Sequence, residues 1–165
     1  MITVTTWSLE MNHPAELRPA RRAADLDVRE CELPQWEFSR FLYQLIGGPW
    51  GWTDKLVWNE QQWRGWVESA DLRTWIAYHR GAIAGYYELH RQPNEAIEIA
   101  YFGLAGALFG RGFGGDLLTR ALESAWGWGA RRVWVHTCTL DHASALSNYR
   151  ARGMVQYDEH THEQA

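Results

Sequence analysis

Apolar and polar residues alternate in several short stretches of the chain, which is the pattern of half-buried β-strands. One such stretch ends just before a glycine-rich turn, and two others flank residues 79–82, where we expect a β-hairpin. The predicted strands are residues 2–9, 27–31, 72–79, 82–89, 95–102 and 131–138.

Other stretches repeat their apolar residues at helical spacing. The predicted helices are residues 34–46, residues 59–69, a segment that opens at the glycine-rich turn and ends near Gly127, and residues 141–152. Asn59 and Asp141 are the expected N-caps, and Gly153 is expected just after the last helix. Strands that alternate with helices in this way indicate an α/β or α+β protein with helices on both faces of a mixed sheet.

The glycine-rich turn lies between residues 104 and 118 and joins a strand to a helix. Its glycines, at positions 110, 112, 114 and 115, allow successive backbone N–H groups to converge, and the helix contributes its positive dipole end. Arg111 adds a fixed positive charge. The spacing is neither that of the dinucleotide fingerprint nor that of a P-loop, but the turn is suited to binding phosphate.

The succession of strand, glycine turn, helix, strand and short helix resembles the GNAT superfamily of acyl-CoA-dependent N-acetyltransferases from about residue 74 to residue 157. The pyrophosphate motif of that family falls on residues 109–114, with Phe109 where the family has Gln or Arg. The second motif falls on Ala145, Tyr149 and Gly153, with His142 in place of the usual asparagine.

The resemblance implies the GNAT fold, a mixed and mostly antiparallel central sheet flanked by helices on both faces. We expect one such domain over residues 1–165, with an extra N-terminal strand and connector at residues 1–25. It also implies acetyl-CoA as cosubstrate. The expected cofactor-binding residues are Leu104, Phe109, Gly110, Arg111, Gly112, Phe113, Gly114, Gly115, His142 and Tyr149.

Three catalytic roles follow from the same resemblance. Glu98 lies eleven residues before the start of the pyrophosphate motif, which is the offset of the general base in histone-type members, and Glu95 competes for this role. The backbone N–H of Leu104 is the expected oxyanion donor. Tyr149 is the expected general acid for the departing thiolate.

The chain contains 11 Trp residues, and five of them lie between residues 50 and 66. Trp63 and Trp66 have helical spacing, which favours the core. Trp50 and Trp52 lie in a Gly-Pro-Trp-Gly-Trp loop without periodicity, so we expect them to line a pocket for an aromatic or cationic amine. Asp54 can pair with an ammonium group, although a turn or capping role is the more common one for such an Asp.

A second constellation consists of His136, Cys138, Asp141 and His142, from which a zinc site or a Cys-His nucleophile can be drawn. No C-x-x-C or H-E-x-x-H spacing supports a metal, and we expect none. Cys31 and Cys138 could form at most one disulfide, so both are interpreted as buried or half-buried thiols.

The formal net charge of −4, with 22% charged residues, offers no basic patch for nucleic acid. No stretch is long and apolar enough to span a membrane, and the N-terminus lacks the regions of a signal peptide. We therefore expect a cytoplasmic monomer or homodimer that binds neither nucleic acid nor membranes.

The sequence thus predicts an N-acetyltransferase that moves an acetyl group from acetyl-CoA to a primary amine of a small molecule by direct attack in a ternary complex. The alternative is a degenerate acyl-CoA-binding or regulatory module without turnover. The sequence does not specify the acceptor amine.

Overall fold

A computed structural model describes residues 1–165 and contains seven strands and four α-helices. In chain order they are β1 Ile2–Met11, β2 Leu26–Glu30, α1 Trp36–Gly47, α2 Glu60–Val67, β3 Leu72–His79, β4 Ala82–Gln92, β5 Ala96–Leu104, α3 Phe113–Gly127, β6 Arg132–Cys138, α4 Ala145–Ala151 and β7 Val155–Gln164. The strands form one sheet in the order β2-β3-β4-β5-β6-β1-β7. The predicted mixed sheet and the β3–β4 hairpin are confirmed.

Every neighbouring pair of strands is antiparallel except β5 and β6, which run parallel. Their pairing extends only from Ala96 opposite Arg132 to Glu98 opposite Trp134. Beyond these residues the two strands are no longer paired, so the sheet opens between residues 99–104 of β5 and residues 135–138 of β6. This split lies at the carboxyl ends of both strands.

Strand β1 forms as expected but lies far from β2, between β6 and β7. Strand β7 was not predicted, because its sequence from Asp158 to Gln164 is almost entirely polar. Its side chains are mostly exposed, and its backbone pairs only with β1. Backbone pairing rather than burial of apolar side chains therefore specifies this strand.

Helices α1 and α3 lie on opposite faces of the sheet, as the alternation of neighbouring residues on β5 shows. A Cβ at Gly103 would meet Ile46 of α1. The next residue of β5, Leu104, points to the other face, where its side chain and that of Leu117 of α3 both lie next to a Cβ built at Gly85. The core on the α3 side includes Leu117, Leu118, Ala121, Leu122 and Ala125, all of which are fully buried. None of the helices is both long and apolar enough to cross a membrane.

The predicted helix caps have different outcomes. Asn59 caps α2 through a reciprocal capping box, in which its Oδ1 accepts from the Gln62 N–H at 2.9 Å and its own N–H donates to Gln62 Oε1 at 3.0 Å. Asp141 as the N-cap of α4 was wrong, because α4 begins at Ala145 and its N-cap is Ser144. The Asp141 carboxylate instead accepts hydrogen bonds from the Cys138 backbone N–H and the Thr137 hydroxyl.

Asp116, in the first turn of α3, attaches the N-terminal connector to that helix. Its fully buried carboxylate accepts hydrogen bonds from Arg22, Arg120 and the backbone N–H of Ala23. Burial raises the pKa of this carboxyl group, but these hydrogen bonds outweigh it and hold the pKa below its ordinary value. The connector is therefore fixed across the start of the helix that the glycine loop opens.

Gly153, which follows α4 as predicted, has a φ of +102°. A Cβ there would overlap the carbonyl oxygen of Glu16. We expect Gly153→Ala to lower the free energy of unfolding by about 2 kcal/mol or more, because positive φ and a backbone clash both oppose it. Urea denaturation measures the change. Gly127→Ala is the matched control, since its Cβ meets nothing within 4 Å and its loss should be under about 0.5 kcal/mol. Equal losses would contradict this account.

Candidate active site

A pocket of about 990 Å³ occupies the split between β5 and β6. One end is formed by the glycine loop and the start of α3, and the other by aromatic residues that precede α2 and by Trp66 in its last turn. The predicted site residues that line it are Trp50, Trp52, Asp54, Glu98, Leu104, Phe109, Gly110, Gly112, Phe113, Gly114, His142 and Tyr149. The fold thus brings together residues from five separate segments of the chain.

Two predicted residues, Arg111 and Gly115, do not line this pocket. A Cβ at Gly115 would meet Arg152 Nη1 at 2.5 Å and the Cβ of Ala20 at 3.0 Å. The absence of a side chain at Gly115 therefore permits close packing of α3 against α4 and the connector. The side chain of Arg111, which was expected to contribute a positive charge, is exposed and does not line the pocket.

The glycine loop has the backbone geometry of an anion cradle. Gly110 and Gly112 both have φ of +78°, and Gly112 is the N-cap of α3. No heavy atom lies within 4 Å of a Cβ built at either position, so both face open space. The first backbone N–H groups of a helix have no partner within it, and here they border the pocket. This end of the pocket can therefore hold a phosphate group without a basic side chain.

The two residues that depart from the family motifs pack against each other. The rings of Phe109 and His142 are stacked with centroids 4.5 Å apart and an interplanar angle of 18°. Trp50 approaches both edge-on, with centroids 5.9 Å from Phe109 and 5.2 Å from His142. The three rings link the loop before α2, the glycine loop and the loop before α4 along one rim of the pocket.

Glu98 is the last residue of β5 that pairs with β6, and the split begins there. Its Oε2 accepts a hydrogen bond from Gln92 at 3.0 Å, and Gln92 in turn accepts one from the Trp134 indole at 3.0 Å. Its Oε1 lies 3.7 Å from Nδ1 of His136, a half-exposed residue. Burial raises the pKa of Glu98 above its ordinary value, although His136, His90 and Gln92 oppose this shift. A carboxylate in this setting is a stronger base than that of an exposed glutamate.

Glu95, the competing candidate, does not line the pocket. Its carboxylate instead pairs with Arg131 at 3.0 Å on the surface. Gln92 and His136 were missed as parts of this site by sequence reasoning. His136 was considered only as a metal ligand or nucleophile partner, because its proximity to Glu98 depends on the register of β5 against β6.

The backbone N–H of Leu104 faces the split. The N–H of Ala105 donates to the carbonyl of Ala84 on β4 at 2.8 Å. Because successive N–H groups of a strand point to opposite edges, that of Leu104 points away from β4, to the side where β6 has diverged. This donor is therefore available to an oxyanion in the pocket.

Tyr149 projects from α4 into the pocket and is 5% exposed. Its hydroxyl group makes no hydrogen bond within the protein, and its ring packs edge-on to Phe102 with centroids 6.2 Å apart. Burial, together with the charge of Asp141, raises the pKa of this hydroxyl well above its ordinary value. The phenol is therefore neutral at physiological pH and can donate a hydrogen bond.

The Trp50 and Trp52 rings differ in their surroundings. Trp52 packs against Tyr43, Tyr86 and Tyr101, with ring centroids 5.2–6.4 Å apart, and a Cβ at Gly47 would overlap its ring. Trp52 lines the pocket and also packs on the hydrophobic core. The aromatic contacts of Trp50 are with Phe109 and His142 at the rim of the pocket.

Lys55, at the aromatic end of the pocket, was not predicted as a site residue. It lines the pocket, and burial lowers its pKa to about 8. Trp63 is buried as expected, whereas Trp66 is only partly buried and lines the pocket. Asp54 is exposed and lies at the same end.

The alternative metal or nucleophile constellation is not assembled. No group of three His, Cys, Asp or Glu side chains is placed to hold a metal ion. His136 is oriented towards Glu98, and Asp141 is hydrogen-bonded to the end of β6. Burial raises the pKa of Cys138, so its thiol is protonated rather than a reactive thiolate.

Comparison with known families gives the class of protein. The model of the Acetyltransferase (GNAT) family matches residues 28–154, which is most of the chain. The chain therefore belongs to the GNAT family. A comparison with curated proteins found no significant match.

Solved structures share the fold at low sequence identity. A GCN5-related N-acetyltransferase from Sphaerobacter thermophilus has a TM-score of 0.71 at 16% identity, with 95% of this chain and 50% of that chain covered. One from Kribbella flavida has a TM-score of 0.67 at 16% identity, covering 92% and 54%. The chain thus spans about half the length of these relatives.

A third similar structure is closer in length. It is an aminoglycoside acetyltransferase from an uncultured soil metagenomic sample, crystallised with trehalose. Its TM-score is 0.62 at 16% identity, and the match covers 78% of this chain and 87% of that one.

The two pocket tryptophans should respond differently to truncation. We expect Trp52→Ala to lower the free energy of unfolding by roughly 2–4 kcal/mol, because it removes a ring packed on the core. Trp50→Ala, its matched control on the rim, should cost less than about 1 kcal/mol. Urea denaturation of both variants measures this difference. Equal losses would show that Trp52 is no more a part of the core than Trp50, which would contradict this account.

Proposed function

We propose that this protein transfers the acetyl group of acetyl-CoA to a primary amine of a small molecule by direct attack within a ternary complex. The observation that carries the proposal is the continuity of one pocket. It joins the glycine loop to the aromatic end, with Glu98, the N–H of Leu104 and the hydroxyl of Tyr149 between them.

The cosubstrate fits the residues that are present. Gly110 and Gly112 offer an open backbone surface next to the start of α3, which suits the pyrophosphate of acetyl-CoA. When bound, acetyl-CoA supplies an activated thioester carbonyl. Phe109, at the first motif position, would contribute its ring rather than a polar side chain to the adjoining channel.

Glu98 is the proposed general base. An amine that is protonated at neutral pH must lose a proton before it can attack a carbonyl carbon. The raised pKa of Glu98 brings its basicity closer to neutral pH, and Gln92 fixes its orientation. His136, at 3.7 Å and half-exposed, is placed to pass the proton on to solvent.

Leu104 and Tyr149 are proposed to stabilise the charges that develop during transfer. The N–H of Leu104 would donate to the carbonyl oxygen as it becomes negative. The Tyr149 hydroxyl would donate to the sulfur of the leaving CoA. The pKa of the Tyr149 hydroxyl is raised far above that of a thiol. The hydroxyl would therefore stabilise the departing thiolate by a hydrogen bond before any proton is transferred to it.

The proposed function is tested by measuring thiol release from acetyl-CoA in the presence of amino acids, polyamines, aminoglycosides, arylalkylamines and peptides. Release that depends on one amine class, with the acetylated product identified by mass spectrometry, is the expected result. Tight acetyl-CoA binding without turnover on any of these amines would instead favour a binding or regulatory module.

Cofactor binding should depend on the glycine backbone more than on the first motif side chain. Gly112→Val places a β-branched residue at a φ of +78° and in the groove, so we expect acetyl-CoA affinity to fall at least about tenfold. Phe109→Gln, the matched control, should change the affinity by less than about threefold, since it leaves the backbone donors in place. Isothermal titration calorimetry measures both. Similar losses in the two variants would contradict a backbone cradle.

Removal of the base should produce a pH-dependent defect. Glu98→Gln should lower kcat on the order of 10²-fold or more at neutral pH. The defect should shrink as pH rises, because the amine then loses its proton to solvent. Tyr149→Phe should lower kcat with little change in KM and without recovery at high pH. Steady-state kinetics across the pH range separate the two. A wild-type pH profile in Glu98→Gln would assign the base to water.

A further inference from the structure

Lys55 is the only lysine among the 165 residues, since every other residue counted in the 16 Lys and Arg is an arginine. It lies at the aromatic end of the pocket, and it is 5% exposed. Its Nζ is buried and has no hydrogen-bond partner. An ammonium group has three N–H donors, so burial without a single acceptor is costly.

Aromatic faces hold this ammonium group instead of hydrogen bonds. Nζ lies 3.3 Å from the ring centroid of Trp66 and 4.5 Å from those of Trp58 and Tyr101. These three residues form an aromatic cage around it. All three distances fall within the ~6 Å range of cation–π attraction.

The buried carboxylate of Glu88 strengthens the attraction of the cage for a cation. The indole N–H of Trp66 donates to Glu88 Oε1 at 2.9 Å, and the Thr74 hydroxyl donates to Oε2 at 2.7 Å. Donation to a carboxylate draws electron density towards the indole ring, which makes its face more attractive to a cation. Glu88 is 2% exposed and does not line the pocket.

The surrounding charges also favour a cation. Glu88, Glu98 and Asp54 each act to raise the pKa of Lys55, although burial outweighs them and lowers it to about 8. Three carboxyl side chains thus contribute a favourable electrostatic potential at one ammonium group. The ring faces of the cage remain available to a cation when Lys55 itself is removed.

We propose that the aromatic cage is a binding subsite for quaternary ammonium groups and that Lys55 is its resting occupant. The cage offers ring faces but no hydrogen-bond acceptor to Nζ. A quaternary ammonium has no N–H donors to leave unsatisfied, so it matches the cage better than a lysine does. Lys55 lies in the turns between Trp52 and α2, outside any helix or strand, and its displaced ammonium would regain water.

Binding at this subsite is separate from acetyl transfer, because a quaternary nitrogen has no lone pair to be acylated. A ligand would therefore carry its cationic group apart from any amine that is acetylated, or would bind without reacting. The subsite can be tested on the protein without acetyl-CoA, so its failure and that of the proposed function are distinguishable.

The first experiment titrates the protein with choline and with 3,3-dimethyl-1-butanol, its uncharged carbon isostere, by calorimetry. We expect weak choline binding to the wild type, because Lys55 must leave the cage. Lys55→Met keeps an unbranched stem but lacks the terminal ammonium group, and it should bind choline about tenfold more tightly. Trp58→Leu added to Lys55→Met should abolish this gain. Neither protein should bind the isostere.

The proposal is overturned if Lys55→Met binds choline no more tightly than the wild type, or if it binds the uncharged isostere equally well. A second measurement on the wild type does not depend on the folding of any variant. Because Lys55 is the only lysine, amine acetylation by an N-hydroxysuccinimide ester reports on its exposure, with the N-terminal amine as internal control. Choline chloride should speed labelling of Lys55 relative to equal sodium chloride, and an unchanged rate would overturn the proposal.

Discussion

The short pairing between β5 and β6 is the constraint on which the rest of the site depends. Only three residue pairs join the two parallel strands, and the sheet opens directly after Glu98. The divergence frees the backbone donor of Leu104, provides the volume for a ligand and leaves Glu98 at the floor of the opening. A sheet that remained paired to its end would satisfy these backbone groups and close the site.

The rim of the pocket shows how a chain can depart from a family pattern and retain its architecture. Phe109 and His142 replace polar residues of the two motifs, and their rings stack on each other with Trp50 at their edge. Aromatic contacts between three loops thus hold this rim of the pocket together. The backbone geometry of Gly110 and Gly112 does not depend on either side chain.

Local signals in the sequence predicted the parts of the site that are themselves local. The glycine loop and the N-cap of α2 depend on neighbouring residues, and they were predicted within a few positions. The position of β1 between β6 and β7, by contrast, depends on pairing across more than a hundred residues. The approach of His136 to Glu98 and the burial of Lys55 have the same origin, because an isolated polar residue carries no periodicity that could reveal its partners.

The buried charges at the aromatic end explain why this part of the pocket needs a cation. Burial raises the pKa of Glu88, and the hydrogen bonds from Trp66 and Thr74 and the charge of Lys55 oppose that shift. If the ammonium group left without replacement, the carboxylate would lose its only nearby cation and would tend to take up a proton. Exchange of one cation for another preserves the charge balance, whereas a neutral ligand does not. The same electrostatic requirement that keeps Lys55 in the cage therefore selects for positive charge in whatever displaces it.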